Sequence, residues 1–168
     1  MAEWMRQQPE THRESTGAVQ VAALPWRRTA DGELQILIVT SRGTGRWIIP
    51  KGWPHKGLSL AQSAAREALE EAGVKGAVED RPIGNFLYDK VRENGDSVPV
   101  RVAVFPLKVT KQSKSWREKG QRRLHWVTPA QAADLLDDAE LKTLVRRFDR
   151  PPGRSGAFRR LSNQEPAQ

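Results

Sequence analysis

The sequence predicts an α/β domain in which short apolar strands surround one acidic helix and further helical segments close the chain. Three observations carry this. Strand-like runs recur, among them LQILIVT at 34–40 and VPVRVAVFPLKV at 98–109. The pairs Asp31-Gly32 and Asn94-Gly95 fall between such runs, where tight hairpin turns demand positive φ. One alanine-rich segment after Ser59 runs to Gly73, an N-cap residue at its start and a glycine stop at its end.

In chain order, residues 1–16 read as a flexible polar N-terminal tail, residues 17–150 as a single domain and residues 151–168 as a flexible basic C-terminal tail. The run AVQVAALPW at 18–26 is the first strand, and LQILIVT, almost wholly apolar, is its hairpin partner and a central strand. A glycine-bearing loop, 41–46, carries Arg42 and Arg46 to a short strand, Trp47-Ile48-Ile49, which ends at Pro50 because proline cannot donate to an interior ladder. The helix from about Leu60 to Ala72 places Leu60, Ala64, Ala68 and Ala72 in an i,i+4 series, a small-residue face that lets it approach a sheet closely. Strands follow at about 84–90 and 98–109, with Pro106 marking an edge or a bulge. The run 110–123 is very basic and reads as a loop or short helix beside the site, with Glu118 as its sole acid. After a short strand at 124–127, Thr128 caps a helix with Pro129 at its first position. A last helix spans about 139–148, and Leu135, Leu136, Leu141, Leu144, Val145 and Phe148 supply the closing apolar faces.

Composition excludes several chemistries. There is no cysteine, so disulfides, a thiol nucleophile and a cysteine-type zinc site are absent, which fits a reducing cytoplasm. The opening residues lack the apolar run of a signal peptide, and no stretch approaches the roughly twenty apolar residues of a membrane span. Cytoplasmic location without a membrane partner is the expectation. A formal charge of +8 favours polyanionic partners, and by itself does not choose among nucleic acid, nucleotides and inositol phosphates.

The stretch from Arg46 to Val74, RWIIPKGWPHKGLSLAQSAAREALEEAGV, concentrates the chemistry. Glu67, Glu70 and Glu71 are offset by three and four and so share one helical face. Carboxylates packed this closely raise one another's pKa unless a cation sits among them, and a hard divalent ion such as Mg2+, or Mn2+ in its place, suits oxygen ligands. Lys51 and Lys56 beside Gly52 and Gly57, together with Arg27, Arg42 and Arg46, can hold phosphate oxygens. His12 and His125 read as surface or packing residues, and Tyr88 as a half-buried strand aromatic that could line a pocket.

This stretch resembles the signature of the Nudix hydrolases: a glycine, five residues, an acid, seven residues, then Arg-Glu-aliphatic-X-Glu-Glu-X-Gly-aliphatic. It opens at Gly52 and closes as REALEEAGV at 66–74; Leu58 stands where the family has its early glutamate. The resemblance implies an alpha/beta/alpha sandwich with a mixed central sheet and a metal-dependent pyrophosphohydrolase acting on acid anhydrides. It assigns the essential metal ligands to the closing glutamates, the Gly52 carbonyl as a further ligand, and an additional acid in the late loop, for which Glu118 is the best match. Arg66 would organise the carboxylates, with Glu67 and Glu71 the first choices as ligands and Glu70 a further ligand or the water-activating base. Trp47–Gly52 and Glu70–Val74 look similar to diphosphoinositol polyphosphate phosphohydrolases, which cleave inositol pyrophosphates and in several cases dinucleoside polyphosphates. Where that subgroup often has a second glycine this chain has Trp53, a ring able to stack on adenine or to pack at a rim. The alternatives are an RNA 5′-pyrophosphohydrolase and a noncatalytic phosphate- or RNA-binding module.

Overall fold

The computed structural model describes residues 19–151; the expected tail at 1–16, with His12, and all but Pro151 of the expected tail at 151–168 lie outside the described residues. The strands are β1 (Val19–Arg28), β2 (Leu34–Thr40), β3 (Trp47–Ile48), β4 (Lys51–Gly52), β5 (Val74–Val78), β6 (Gly84–Val91), β7 (Ser97–Gln112) and β8 (Leu124–Val127). The helices are α1 (Leu60–Ala72), α2 (Pro129–Leu135) and α3 (Ala139–Arg147).

One mixed sheet organises these elements in the order β3-β2-β1-β7-β5, with β4 on β1, β6 on β7 and β8 on β2. Among the described residues only β1 and β7 pair in parallel; the other ladders are antiparallel. Because side chains alternate across a strand, the central strands feed two cores. Ala22, Leu24 and Trp26 of β1, Ile36 and Ile38 of β2, and Val102 and Val104 of β7 face α2 and α3, where Leu136, Leu141 and Val145 meet them. Val21, Ala23, Leu37, Val39, Ala103 and Phe105 face the alanine stripe of α1. Each fully buried Leu or Ile contributes about 1.5–3 kcal/mol, and an alpha/beta/alpha sandwich is the result.

Several local expectations shift. The first strand runs two residues further, through Arg27 and Arg28, because both pair across the hairpin with Gln35 and Leu34. Ile49 falls just outside the WII strand, and the chain beyond Pro50 rejoins the sheet, with Lys51 opposite Ala22 and Gly52 opposite Val21. The strand β5, directly after Gly73, has no counterpart in the sequence reading, since VKGAV is short and carries a lysine and a glycine. Pro106 lies inside β7, paired with Leu24 on the β1 side. On the other side β6 pairing ends at Val104 and β5 pairing begins at Leu107, so the missing N–H falls at the change of partner. Leu135, expected to be apolar filling, is 38% exposed, because α2 turns its alanines inward.

The start and stop of α1 follow the local chemistry. The Ser59 hydroxyl accepts from the Gln62 N–H, and the Gln62 side chain accepts from the Ser59 N–H, a complete capping box. At the other end Gly73 has φ 68°, a conformation that disfavours any side chain. A Cβ there would also collide with the Trp116 ring. Gly73 therefore both ends the helix and admits the aromatic residue that seats the 113–123 loop against it. No helix among the described residues is long and apolar enough to cross a membrane.

Candidate active site

Two adjoining depressions flank the acidic face of α1. The first, about 420 Å³, is lined by Glu67, Glu70, Glu71 and Glu118 with Arg42, Arg117, Gln121 and Arg122. The second, about 550 Å³, is a wider cleft lined by residues including Arg42, Arg46, Ile48, Lys51, Tyr88, Lys90, Arg122 and Asp138. Arg42, Glu71 and Arg122 line both and form the wall between them.

Helical spacing alone brings three of the acids together. Glu118 arrives by tertiary contact: its backbone N–H donates to the Glu70 carbonyl at 3.0 Å, and the Gln112 side chain covers the carbonyls of Ala72 and Gly73 at 3.0 and 3.1 Å. Arginines neutralise the cluster. Arg122 lies 3.4 Å from Glu71 and 3.4 Å from Glu118, with a side chain only 8% exposed. It is anchored through Nη1, which donates to the Thr40 carbonyl at 3.0 Å. Arg42 reaches Glu118 at 3.0 Å, while Arg66 and Arg117 flank Glu70 at 3.2 and 3.6 Å. Arg66 thus contacts a carboxylate and lies outside both depressions.

Glu71 carries the largest perturbation. Burial pushes its carboxyl up to about 8; the Arg122 guanidinium and the Lys51 backbone N–H oppose the shift, and the Glu67 and Glu118 carboxylates add to it. One of its oxygens, Oε2, is buried without a hydrogen-bond partner. Such an atom is costly unless a positive ligand meets it. Across the pocket, a side chain at Gly52 would collide with the Glu67 carboxylate, so the glycine is what lets strand and helix close on each other. An orphaned buried carboxylate oxygen, converging acids and a glycine cradle fit a divalent cation held by oxygen ligands.

His55, passed over in the sequence reading, stands 2.8 Å from Glu67 Oε1 through its Nε2. Ligand atoms of His55, Glu67 and Glu70 lie within 4.8 Å of one another. Glu71, preferred with Glu67 from sequence, lines the same pocket but directs Oε1 toward Arg122. The signal for His55 was its place between Gly52 and Gly57; the signal for Arg122 was diluted by the basic run around it.

Among the expected phosphate-binding cations, Arg42, Arg46 and Lys51 line the cleft. Burial lowers the Lys51 pKa, with Glu71 opposing, and its Nζ sits 4.0 Å over the Tyr88 ring. Arg46 is paired with Asp137 at 3.2 Å. Arg27 lines neither depression; it stacks over Trp126 at 4.0 Å and donates to Gln35. Lys56 is exposed and also lines neither. Trp53 is exposed, with Lys90 4.9 Å from its ring. Leu58 points into a separate apolar groove with Ala65, Leu69 and Leu107. His125 is exposed beside Trp47.

A sequence profile of the NUDIX domain matches residues 18–148. Nudix hydrolase 21, chloroplastic, of Arabidopsis thaliana is 28% identical over 131 residues, covering 76% of this chain and 64% of that protein. Diphosphoinositol polyphosphate phosphohydrolase 3-beta of Bos taurus is 31% identical over 119 residues, covering 70% of this chain and 68% of that protein. The chain thus spans less than two thirds of the length of the Arabidopsis relative. Among solved structures, a C. elegans Ap4A hydrolase binary complex superposes with a TM-score of 0.57 at 22% identity, over 85% of this chain and 98% of that one; a likeness at that identity speaks to fold alone. The profile match covers the whole sandwich and every residue of both depressions, and on that ground the chain belongs to the Nudix family.

Proposed function

We propose that residues 17–150 form a divalent-cation-dependent pyrophosphohydrolase that cleaves a phosphoanhydride bond in a highly anionic compound, a diphosphoinositol polyphosphate or a dinucleoside polyphosphate. The observation that carries this reading is the shared wall: an acid pocket fit for a cation opens through Arg42, Glu71 and Arg122 into a cleft holding Arg46 and Lys51. The name of the bovine relative points to the first of these substrate classes.

A phosphoanhydride resists water because its oxygens are negatively charged. The bound cation, Mg2+ or Mn2+, would screen that charge and acidify a water. Glu67, Glu70, Glu71 and Glu118 would hold it, with the Gly52 carbonyl completing the set. Arg42 and Lys51 then bind the polyphosphate and fix the reacting phosphorus beside the acid wall. Arg122, tied to Thr40, keeps Glu71 and Glu118 in place, and Arg66 does the same for Glu70. Glu70 is the candidate to accept the proton of the attacking water. We propose a cytoplasmic location on the absence of cysteine; imaging of a tagged chain in an organelle would correct it.

The test is a phosphate-release screen with Mg2+ and Mn2+ on diadenosine polyphosphates, inositol pyrophosphates, nucleoside diphosphate sugars and triphosphorylated RNA. The expected outcome is preferred turnover of the first two classes, abolished by Glu70→Gln. Equal efficiency on the sugars would count against the substrate class, and turnover unchanged by the substitution would defeat the site. Binding of triphosphorylated RNA without turnover of any substrate would favour the noncatalytic alternative.

A further inference from the structure

The loop between β4 and α1 sets an imidazole against Glu67 at the edge of the acid pocket, and three anchors hold it there. The His55 backbone N–H donates to the Ser63 hydroxyl at 2.9 Å, and Ser63 is fully buried on α1. The Leu58 N–H returns to the His55 carbonyl at 3.1 Å, closing a turn. The ring itself meets Glu67 at 2.8 Å. Among the described residues, His55, Glu67 and Glu70 are the group of metal-capable side chains whose ligand atoms lie within 4.8 Å of one another. The orphaned Glu71 Oε2, on a side chain 7% exposed, is independent evidence that a cation belongs in this pocket.

The spacing fits direct ligation. An octahedral ion with bonds of about 2.1 Å separates neighbouring ligand atoms by about 3.0 Å, close to the 2.8 Å between His55 Nε2 and Glu67 Oε1. Ligand atoms that lie within 4.8 Å of one another reach a single ion after a small inward closure.

We propose that His55 is a direct nitrogen ligand of the catalytic cation and that it biases the site toward later divalent ions such as Co2+ or Zn2+ over Mg2+. This rests on the cation-dependent reading given above and specifies it. Magnesium prefers an all-oxygen shell and gives up water reluctantly, whereas imidazole suits the later divalent ions. To ligate, Nε2 must present its lone pair, so the ring's single hydrogen resides on Nδ1; a hydrogen on Nε2, as in a bond donated to Glu67, moves there through solvent when the ion enters. The competing role is orientation only, with His55 steering Glu67 by that hydrogen bond and never touching the ion.

His55→Gln separates the two, because the amide still donates to Glu67 but offers no imidazole nitrogen. Co2+ binding is followed by its visible absorption and Mg2+ binding by calorimetry, on the full chain freed of metal by chelator. The expected result is a loss of Co2+ affinity of tenfold or more, a change in the Co2+ spectrum, and Mg2+ affinity within twofold of wild type. His55→Asn, with thermal unfolding in chelator as control, covers the case in which the glutamine variant folds poorly. Equal weakening of both ions, or of neither, overturns ligation while leaving the hydrolase reading intact. A wild-type chain that binds no divalent ion overturns both.

Discussion

The acid pocket and the cleft beside it share a wall but are built by opposite means. Three acids of the pocket come from little more than one turn of α1, at positions 67, 70 and 71, where helical periodicity alone makes them neighbours. The cleft collects side chains from the 41–46 turn, the β3–β4 region, β6, the 113–123 loop and the start of α3. Its chemistry is mixed as well: Ile48, Tyr88 and Val91 stand among Lys51, Arg46 and Asp138. Burial raises the pKa of Asp138 and of Tyr88 in this setting. The difference teaches that, under the proposed function, the pocket would carry chemistry common to many anhydrides, while the cleft is where a particular substrate would be selected.

That division can be broken by experiment. The largest effect is expected in the pocket. Glu71→Gln should reduce kcat by about a hundredfold or more, the scale for losing one preorganised electrostatic group, with KM little changed; steady-state phosphate release reads it. A comparable loss on a cleft substitution would erase the distinction.

The wall itself should behave differently in the absence and presence of a cation. Arg122→Met strips a buried partner from Glu71 and Glu118, and such a loss costs about 3 kcal/mol when the remaining charges stay uncompensated. Thermal unfolding in chelator should show that loss, and saturating Mn2+ should recover more stability in the variant than in wild type. Equal recovery in both would mean that Arg122 does not stand in for cation charge.

The smallest effect belongs to the cleft. Lys51→Met should raise KM for a long polyphosphate by about tenfold, one charge-assisted contact, and leave kcat within a few-fold. This pattern marks binding shared by ground and transition states. A fall in kcat with KM unchanged would move Lys51 into the pocket's chemistry.

Much of the fold was legible because its rules are local. The N-cap at Ser59, the helix stop at Gly73, the hairpin turns at Gly32 and Gly95 and the Thr128-Pro129 start of α2 each depend on a few adjacent residues, and each formed as read. The two-residue strand β4 and the strand β5 were not, since both depend on partners far along the chain. The same limit applies at the site. Arg27 and Arg42 look alike in sequence, yet one stacks on Trp126 while the other reaches Glu118. Leu58, the departure from the family pattern, turns into an apolar groove away from the carboxylates.

The sequence by itself determined the acidic face of α1, because spacing along a helix translates directly into direction in space. Only the tertiary structure decided what meets that face. Trp116 packs where Gly73 has no side chain, the 113–123 loop consequently brings Glu118 and Arg122 to the acids, and the Gly52 cradle and the Ser63 anchor place Glu67 and His55 together. Those contacts join residues distant in the chain, and their existence rests on how closely two backbones can approach, which no short window of sequence encodes.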